Sequence, residues 1–576
     1  MGIEASIDPV PEIRTHRRRC VVLRYAKCIA LALSAASLEV HAQDNLENRP
    51  LAPPASFHVD SLVPTDDELQ AKAARVGSIE IRINDIFDSI EPLSAPYRLA
   101  NGLHISTRPG VIRAQLLFGP GEPFSRQALD ETARALRAQR YLREASVEPV
   151  RYDEATNTVD VLVRVNDVWT LSPGFSFGRK GGKNSSKLKF EDENFLGLGK
   201  AIDMSRTDDA DRGGWHFSYS DPNVLGSRWK MSAAYGSLSD GSEKLLEVGR
   251  PFYSMNARSA FEVRMADATM TRSRYALGEV VSQFAMREKS VEVSGGLSSG
   301  LHDGWVRRLL AGIHYQTRDF STLVDRERTP LPEDRVLAYP WIGLEWIEDE
   351  YAKSWNLDQI GRTEDLYLGK SARLEAGFAS TAFGSSHDAL ILKGRLQTAA
   401  ELTGERYVFG TLEYTGRLVE QGSIRDGRLD VGARYYVRQS PRRVLFAAAT
   451  GSLTEKLDES EQLLLGGDNG LRGYPLRYQG GTASALFTLE ERFYTNWQLL
   501  KLVNVGAAAF FDVGRTWGRD PFAGASSGWL KDVGIGLRLG NARSALGNVL
   551  HIDLAFPLDG RDIDSVQLIV ETRRSF

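Results

Sequence analysis

The chain has only two cysteines in 576 residues, Cys20 and Cys28, and both lie near its start. A run of arginines precedes a short apolar stretch that ends at Leu38, and Val40-His41-Ala42 follows as the cleavage site. This order of charge, apolar stretch and small-residue site predicts a secretory signal peptide over residues 1–42. Without that leader the chain has no cysteine, which excludes disulfides, cysteine nucleophiles and thiolate metal sites.

Long apolar runs and a dominant charge are also missing. No segment after the leader approaches the roughly 18 consecutive apolar residues that indicate a transmembrane helix. The chain has 71 Lys+Arg against 75 Asp+Glu, a formal net charge of −4. A mildly acidic protein without a basic block is a poor candidate for binding nucleic acid, so we expect no nucleic-acid partner. An exported chain without helical spans is periplasmic, secreted or a membrane barrel, and strand periodicity must decide between these.

Catalytic and cofactor motifs are equally scarce. The sequence contains no H-x-x-x-H pair, P-loop, EF-hand loop or dinucleotide-binding fingerprint followed by a helix. Two G-x-S-x-G matches, Gly174–Gly178 and Gly296–Gly300, lie in patterns with nothing helical behind them. A serine-hydrolase elbow needs a strand-to-helix turn that exposes its serine, so Ser176 is better explained as an ordinary strand residue. We therefore expect no enzyme, no cofactor and no metal site.

The first part of the mature sequence predicts a linker and then a small folded unit. Residues 43–75 are polar and contain prolines, as linkers do. Isoleucines alternate with polar residues over 79–84, which predicts a strand with one apolar face. Ser125 occupies the capping position of a predicted helix, whose apolar face is formed by Leu129, Ala133, Leu136 and Tyr141.

Two further strand patterns, Ser146–Val150 and Val159–Val165, follow that helix and are separated by a predicted turn. The order strand, helical region, helix, strand, strand resembles a POTRA domain, and the passage from Leu116 to Pro149 carries most of the likeness. We place this α+β domain at residues 76–167. A second domain of this kind would have to lie within the linker.

Alternating patterns then continue from residue 168 to the end of the chain, which predicts a mainly β domain over 168–576. One example is the alternation of Leu550, Ile552, Leu554 and Phe556 with His551, Asp553 and Ala555. The apolar faces are rich in Trp, Phe and Tyr, whereas the opposite faces carry small, polar or charged residues. A soluble sandwich shares an apolar core between two sheets. These faces favour instead a transmembrane antiparallel β-barrel, apolar outside and polar inside.

The length of this region sets the expected strand count and its closing strand. At about 25 residues for each strand and its connection, the region accommodates about 16 strands. The chain ends on an aromatic residue, Phe576, in a strand-like tail. That ending is similar to the closing strand of bacterial outer-membrane barrels.

The most specific motif runs from Leu463 to Tyr474 and combines three leucines, a glycine pair and a Leu-Arg-Gly-Tyr sequence. Its members of interest are Gly466, Gly467, Leu471, Arg472, Gly473 and Tyr474. The motif resembles the hallmark loop of the BamA/TamA-like outer-membrane assembly and translocation superfamily, which includes two-partner-secretion transporters. The resemblance implies that the loop folds back into the barrel and that its arginine pairs there with acidic residues of the following strands. Asn194–Gly199 resembles a second family motif near the barrel start.

Two acidic residues lie on the predicted inward faces of the next two strands, Glu490 and Asp512, while Glu491 has outward parity. A guanidinium is permanently charged and fork-shaped, so it can bridge two carboxylates in a fixed orientation. Gly473 would let the backbone bend beside the arginine, and Tyr474 could pack on the wall while using its hydroxyl. We expect these residues to hold the loop inside the barrel.

The resemblance implies a non-enzymatic protein of the Gram-negative outer membrane that assembles, inserts or translocates polypeptides, with its POTRA domain in the periplasm. The expected partners are unfolded or nascent outer-membrane or secreted polypeptides, outer-membrane lipid, and accessory periplasmic or lipoprotein factors. A dedicated two-partner-secretion transporter of one exoprotein is the alternative, although such transporters usually have two POTRA domains. A porin or an outer-membrane enzyme would have no use for the Arg-Gly-Tyr motif.

Overall fold

The computed structural model describes residues 63–87, 98, 101–102, 104–323, 331–499, 502–522, 528–541, 543–545, 549–560 and 563–573. All of these described residues lie within one compact unit, 53–576. The predicted signal peptide and Phe576 therefore lie outside the described part. No helix in that part is long and apolar enough to cross a membrane.

The N-terminal domain is a three-stranded sheet covered by helices. Its elements are α1 (Asp66–Ala71), β1 (Arg75–Asn84), α2 (Pro109–Arg113), α3 (Arg126–Arg137), β2 (Leu142–Asp153) and β3 (Thr158–Asp167). The strand order is β1-β3-β2, with β1 parallel and β2 antiparallel to the central strand β3. Buried valines of β3 pack against Leu129 and Leu136 of α3, so the amphipathic helix covers one face of the sheet.

Capping side chains set where two of these helices begin. Ser125 accepts a hydrogen bond from the Ala128 amide at the start of α3, as its sequence position predicts. Thr65 and Glu68 form a reciprocal capping box at the start of α1. Helix α1 lies inside the stretch 43–75 that the sequence predicts as a linker, and its Leu69 is fully buried in the domain core. The packed domain therefore begins before residue 76.

The remainder of the described chain is a closed barrel of 20 strands. These strands are β4 (Leu171–Lys180), β5 (Lys183–Asp192), β6 (Ala201–Asp208), β7 (Gly213–Asp221), β8 (Lys230–Leu238), β9 (Gly241–Arg250), β10 (Ser259–Ala276), β11 (Glu279–His302), β12 (Trp305–Ser321), β13 (Arg335–Glu348), β16 (Ser371–Ala379), β17 (Ala389–Leu402), β18 (Arg406–Val419), β19 (Ser423–Ser440), β20 (Arg443–Glu455), β23 (Ala483–Leu499), β24 (Val503–Trp517), β25 (Leu530–Asn541), β26 (Val549–Pro557) and β27 (Gln567–Arg573). Neighbours pair antiparallel in chain order, and β27 returns to β4. Both G-x-S-x-G matches lie within strands, β4 and β11.

The prediction of about 16 strands is wrong, because the strands and their connections are shorter than assumed. From β4 to β9 the strands have 8 to 10 residues. Several turns are only two residues long, such as 181–182 and 239–240. The whole barrel therefore uses about 20 rather than 25 residues for each strand and its connection.

The faces of the strands follow the predicted alternation. Phe487 and Leu489 on β23 are half exposed on the outer surface, whereas Glu490 and Arg492 point inward and are buried. The outer surface elsewhere is similarly apolar, including Phe217, Phe261, Ile313, Ile342 and Leu554. A β-sheet crosses a bilayer as a closed barrel, in which the backbone groups are paired, the outer face is apolar and the inner face is polar.

Within the described residues, two connections contain short hairpins that do not join the barrel wall. One is β14 (Tyr351–Trp355) with β15 (Thr363–Tyr367), between β13 and β16. The other is β21 (Leu463–Leu465) with β22 (Gln479–Gly481), between β20 and β23. The first barrel strand, β4, starts next to the N-terminal domain, and successive strands alternate in direction. The first hairpin therefore lies at the barrel end next to that domain. The second hairpin connects strands at the opposite end.

The Arg472 cluster in the barrel lumen

The connection between β20 and β23, residues 456–482, is the loop that carries the Leu-Arg-Gly-Tyr motif. Its glycine pair is tightly enclosed by the loop itself. A Cβ on Gly466 would lie 2.5 Å from the Pro475 oxygen, and one on Gly467 would lie 2.3 Å from the Tyr474 oxygen. Neither position tolerates a side chain without moving backbone, so the glycine pair allows the loop to fold back on itself.

Arg472 projects from this loop into a group of acidic side chains on the barrel wall. Its Nε and Nη2 donate to the two carboxylate oxygens of Asp512 on β24, at 2.7 and 3.0 Å. Its Nη1 donates to Glu490 on β23 at 2.8 Å, and lies 3.4 Å from Asp553 on β26. The guanidinium carbon is 3.4 Å from the ring centroid of Phe510. All these side chains are buried, so the predicted residues Arg472, Glu490 and Asp512 meet inside the barrel.

Two further arginines join this cluster: Arg492, which the sequence places on the same strand face as Glu490 but not as its partner, and Arg538, which sequence reasoning missed. Arg538 on β25 contacts Glu490 at 3.2 Å and also pairs with Asp553. Arg492 donates its Nε to the second carboxylate oxygen of Glu490 at 3.0 Å. Glu490 is therefore surrounded by three guanidinium groups, which offset the cost of burying its charge.

Strand parity could have placed Asp553 and Arg538 in the lumen. Asp553 shares an inward face with His551 and Ala555, and Arg538 alternates with the apolar residues Leu537 and Leu539. Parity shows that such side chains face the lumen, but it does not show which of them meet. Their pairing depends on the register of β25 against β26, in which Arg538 lies opposite His551.

Tyr474 fixes the loop on the other side of Arg472. Its hydroxyl donates to the carbonyl of Lys531 at 2.8 Å and accepts from the Lys531 amide at 3.0 Å. Burial raises the pKa of this phenol, so it stays protonated and can donate. The ring packs with Leu471, Leu465 and Leu530 in a small apolar cluster. The tyrosine thus combines an apolar contact with a polar one, as its chemistry allows.

Glycine is required at position 473 because a side chain would not fit there, not because of the backbone conformation. The φ angle of Gly473 is not positive, so the tight backbone bend expected from the sequence does not explain why glycine is needed here. A Cβ at this position would lie 2.6 Å from the Asp532 Cβ and 3.1 Å from the Pro557 amide nitrogen. The loop therefore approaches the wall so closely that only glycine fits between Arg472 and Tyr474.

Glu491 lies outside this cluster, as its parity predicts. It accepts hydrogen bonds from Arg443 and Gln439 on neighbouring strands, at 3.0 and 3.3 Å. The proposed closing residue Phe576 lies beyond the described residues, and the structure places no contact for it.

The second family-like motif, Asn194–Gly199, forms a turn that receives the N-terminal domain. Asn194 donates to the Thr107 hydroxyl at 2.8 Å, and the Arg108 amide donates to the Gly197 carbonyl at 2.9 Å. A Cβ on Gly197 would lie 2.4 Å from the Ser106 carbonyl oxygen. This turn is therefore a docking point between the domain and the barrel.

Comparison with known families agrees with this architecture. Residues 410–570, which contain the whole Arg472 cluster, match the model of the Omp85 superfamily domain. Residues 101–167 match the POTRA model, described as a surface antigen variable number repeat. The chain therefore contains an Omp85 superfamily domain. It is an outer-membrane β-barrel protein with a POTRA domain.

Three solved structures are similar to this chain at low identity. BamA from Haemophilus ducreyi lacking POTRA domains 1–3 has 14% identity and a TM-score of 0.37, covering 85% of this chain and 83% of that one. CdiB from Acinetobacter baumannii has 10% identity and a TM-score of 0.41, covering 87% and 73%. CdiB from Escherichia coli has 12% identity and a TM-score of 0.35, covering 91% and 93%. At these TM-scores the likenesses support no functional conclusion. No curated protein matches the chain.

Proposed function

We propose that this protein inserts or translocates polypeptides at the outer membrane of a Gram-negative bacterium, with the POTRA domain, predicted at 76–167, in the periplasm. The family match supports this class of function. The observation that carries the proposal is the weak junction between the first and last barrel strands, because such a junction offers strand edges to an incoming chain.

This junction, which we call the seam, contrasts with the adjacent strand pair. β27 pairs with β26 along its length, from Arg573 to Gln567. Across the seam, the only registered pair among the described residues is Val570 with Arg179 on β4. An ion pair between Lys180 and Glu571 at 3.0 Å adds one polar contact. Unpaired strand edges are costly in lipid and readily accept a further strand. The seam is therefore the proposed exit for a client polypeptide.

The POTRA domain supplies a second place for strand addition. Its sheet has β3 in the centre, so β1 and β2 are edge strands. An extended client segment can pair with such an edge through backbone hydrogen bonds, largely independent of its sequence. The domain would in this way deliver a client to the barrel, to which it is docked at Gly197.

The Arg472 cluster has a supporting role in the proposal. By holding residues 456–482 against β23, β24 and β26, Arg472 keeps the wall beside the seam ordered while the seam itself opens. We assign no catalytic step to it. Its carboxylate partners are already satisfied by arginines, and the cluster is buried.

A reversible disulfide across the seam tests the proposal. Directly opposite residues of antiparallel strands have Cβ atoms about 4.5–5.5 Å apart, close enough for a disulfide after a small shift. The pair Arg179→Cys with Val570→Cys would join β4 to β27, since these residues are registered partners. The matched control, Leu554→Cys with Leu568→Cys, joins β26 to β27 and leaves the seam free.

The readout is the folding of a urea-unfolded outer-membrane β-barrel polypeptide added to proteoliposomes that contain the protein. We expect the oxidised seam variant to lose this activity and to regain it on reduction, while the oxidised control stays active. Client folding that is unchanged by the seam disulfide would contradict lateral release, and transport of one large exoprotein instead would favour a dedicated secretion role.

A further inference from the structure

The connection between β13 and β16, residues 349–370, is much longer than its neighbours at the same barrel end. The connections 303–304, 403–405 and 441–442 have two or three residues. This one contains the hairpin β14–β15 and enters the barrel, and we call it the POTRA-side insert. Its Leu357 and Ile360 are buried.

The barrel wall provides an apolar lining for these two residues. Inward side chains of four strands pack around them: Tyr436 on β19, Val444 and Phe446 on β20, Tyr494 on β23 and Val549 on β26. Without the insert, these aromatic and aliphatic groups would be exposed to water in the lumen. The wall is therefore adapted to hold the insert.

Polar contacts fix the insert at the same place. Arg492 donates to the Leu357 carbonyl at 2.6 Å, and Asn504 donates to the Ile360 carbonyl at 3.2 Å. Tyr436 donates its hydroxyl to Asp358 at 2.9 Å. A Cβ on Gly540 would lie 2.8 Å from the Ile360 Cβ, so the wall leaves room for this side chain only with glycine there.

The POTRA domain contacts the same insert from outside. Arg137 on α3 makes a bidentate pair with Asp365, at 2.7 and 2.6 Å, and is almost completely buried. Arg362 of the insert donates to the Leu142 carbonyl at 2.6 Å, and Arg134 pairs with Asp349 at 3.1 Å. Removing one partner of a buried bidentate pair leaves the other without its counter-charge, so these contacts are strong enough to latch the insert.

The insert also reaches the Arg472 cluster. Arg492 bridges the Leu357 carbonyl and Glu490, and Glu490 in turn binds Arg472 of loop 456–482. The two connections enter the lumen from opposite ends and are linked through Arg492 and Glu490 of the wall. Barrels of 16 or more strands enclose a channel wide enough for water unless a plug fills it.

From these contacts we propose that the POTRA-side insert is a displaceable plug of the 20-stranded barrel, latched closed by the POTRA domain through Arg137 and Asp365. Movement of the domain breaks the latch and opens the lumen from the POTRA side. That a bound client causes this movement rests on the proposed function, whereas the latch itself does not.

Thiol labelling tests the latch without any client. Val444→Cys places a thiol beneath the insert, in a background where Cys20 and Cys28 are changed to serine. We expect a polyethylene-glycol maleimide to label it slowly in the parent protein. Arg137→Asp should raise the labelling rate about tenfold, the change that a loss of about 1.4 kcal/mol produces. The charge swap, Arg137→Asp with Asp365→Arg, should restore slow labelling.

A second thiol distinguishes plug release from general unfolding. Thr516→Cys lies beneath loop 456–482, where Thr516 donates to the carbonyl of Gly480 at 3.0 Å, and it should stay protected in every variant. Equal labelling of Val444→Cys with and without Arg137→Asp would overturn the latch. So would labelling of Thr516→Cys in parallel, or a charge swap without effect. None of these results alters the outcome of the seam experiment, so the two proposals fail separately.

Discussion

Arg472 donates two parallel hydrogen bonds to Asp512, from Nε at 2.7 Å and from Nη2 at 3.0 Å, and both side chains are buried in the barrel. Only a guanidinium can make this fork while also reaching Glu490 with its remaining nitrogen. The loop that carries Arg472 is thereby held to two adjacent strands through one side chain.

Replacing this arginine should destabilise the barrel strongly. Arg472→Ala leaves Asp512 and part of the charge of Glu490 uncompensated in a buried site, which costs about 3–5 kcal/mol. Arg472→Lys keeps the charge but loses one of the paired hydrogen bonds, at about 1.5–3 kcal/mol. Both losses of stability are measured as a lower midpoint temperature for the heat-induced shift in electrophoretic mobility that marks barrel unfolding. The pair of the exposed Arg264 with the partly buried Glu247 serves as a control, since Arg264→Ala should cost less than about 1 kcal/mol. Equal midpoints for Arg472→Ala and Arg264→Ala would argue against the role of this cluster.

A single methyl group at Gly473 should release the loop. Gly473→Ala places a Cβ against Asp532 and the Pro557 backbone, and overpacking of this kind costs about 1–3 kcal/mol. We expect loop 456–482 to become sensitive to protease. Gly110→Ala is the matched control, because nothing lies within 4 Å of its Cβ. If Gly473→Ala resists protease as well as Gly110→Ala does, the close approach has no energetic consequence.

Two similar turns allow the docking of the POTRA domain to be tested against an internal reference. Gly197 and Gly226 both have left-handed φ angles, 69° and 73°, and each follows a leucine in the same conformation. Alanine at either position therefore incurs a similar backbone strain of about 1 kcal/mol. Only at Gly197 would the methyl group also meet the POTRA domain, at the Ser106 carbonyl, because Gly226 has open space around it.

We expect Gly197→Ala, but not Gly226→Ala, to loosen the domain. The measurement is the rate at which trypsin separates the POTRA domain from the intact barrel. The same rate in both variants would mean that the turn 194–199 does not hold the domain.

The POTRA-side insert should be more stable at lower pH because of Glu364. Burial, and then the nearby charge of Asp358, raise the pKa of Glu364 to about 7 from an ordinary value of 4.5. The folded state therefore binds this proton more tightly than the unfolded state, and its stability falls as the pH rises from 4.5 towards 7.

Glu364→Gln should remove this part of the pH dependence. The test compares the change in thermal midpoint between about pH 5 and pH 8 in the parent and in the variant. Glu350→Gln, at an exposed glutamate of the same insert, should behave as the parent does. An identical pH dependence in Glu364→Gln and the parent would show that Glu364 does not titrate in this range.

The sequence predicts the inner and outer faces of the barrel because each strand must separate lipid from a polar lumen. Glu490 and Asp512 could be placed inside by parity alone, and the Arg-Gly-Tyr motif supplied a cation to join them. The helix after Ser125 could be predicted for a similar reason, since its capping residue and apolar spacing are both local.

The parts that could not be predicted depend on contacts between distant segments. Arg538 meets Glu490 only through the register of β23, β24 and β25, which strand parity does not determine. The insert 349–370 is held by Leu357 and Ile360. Nothing in their local sequence shows that they pack against an apolar lining inside the barrel. The strand count was wrong for a different reason, since it assumed longer connections than the short turns between β4 and β9.

Site-specific photo-crosslinking to a client polypeptide tests the central claim most directly. A photoreactive phenylalanine analogue replaces Phe177 on the outer face of β4 beside the seam, or Ile313 on the outer face of β12. During assisted folding of an outer-membrane β-barrel polypeptide, we predict a crosslinked adduct from position 177 and none from position 313. Equal capture at both positions, or capture at 313 alone, would contradict client release at the seam.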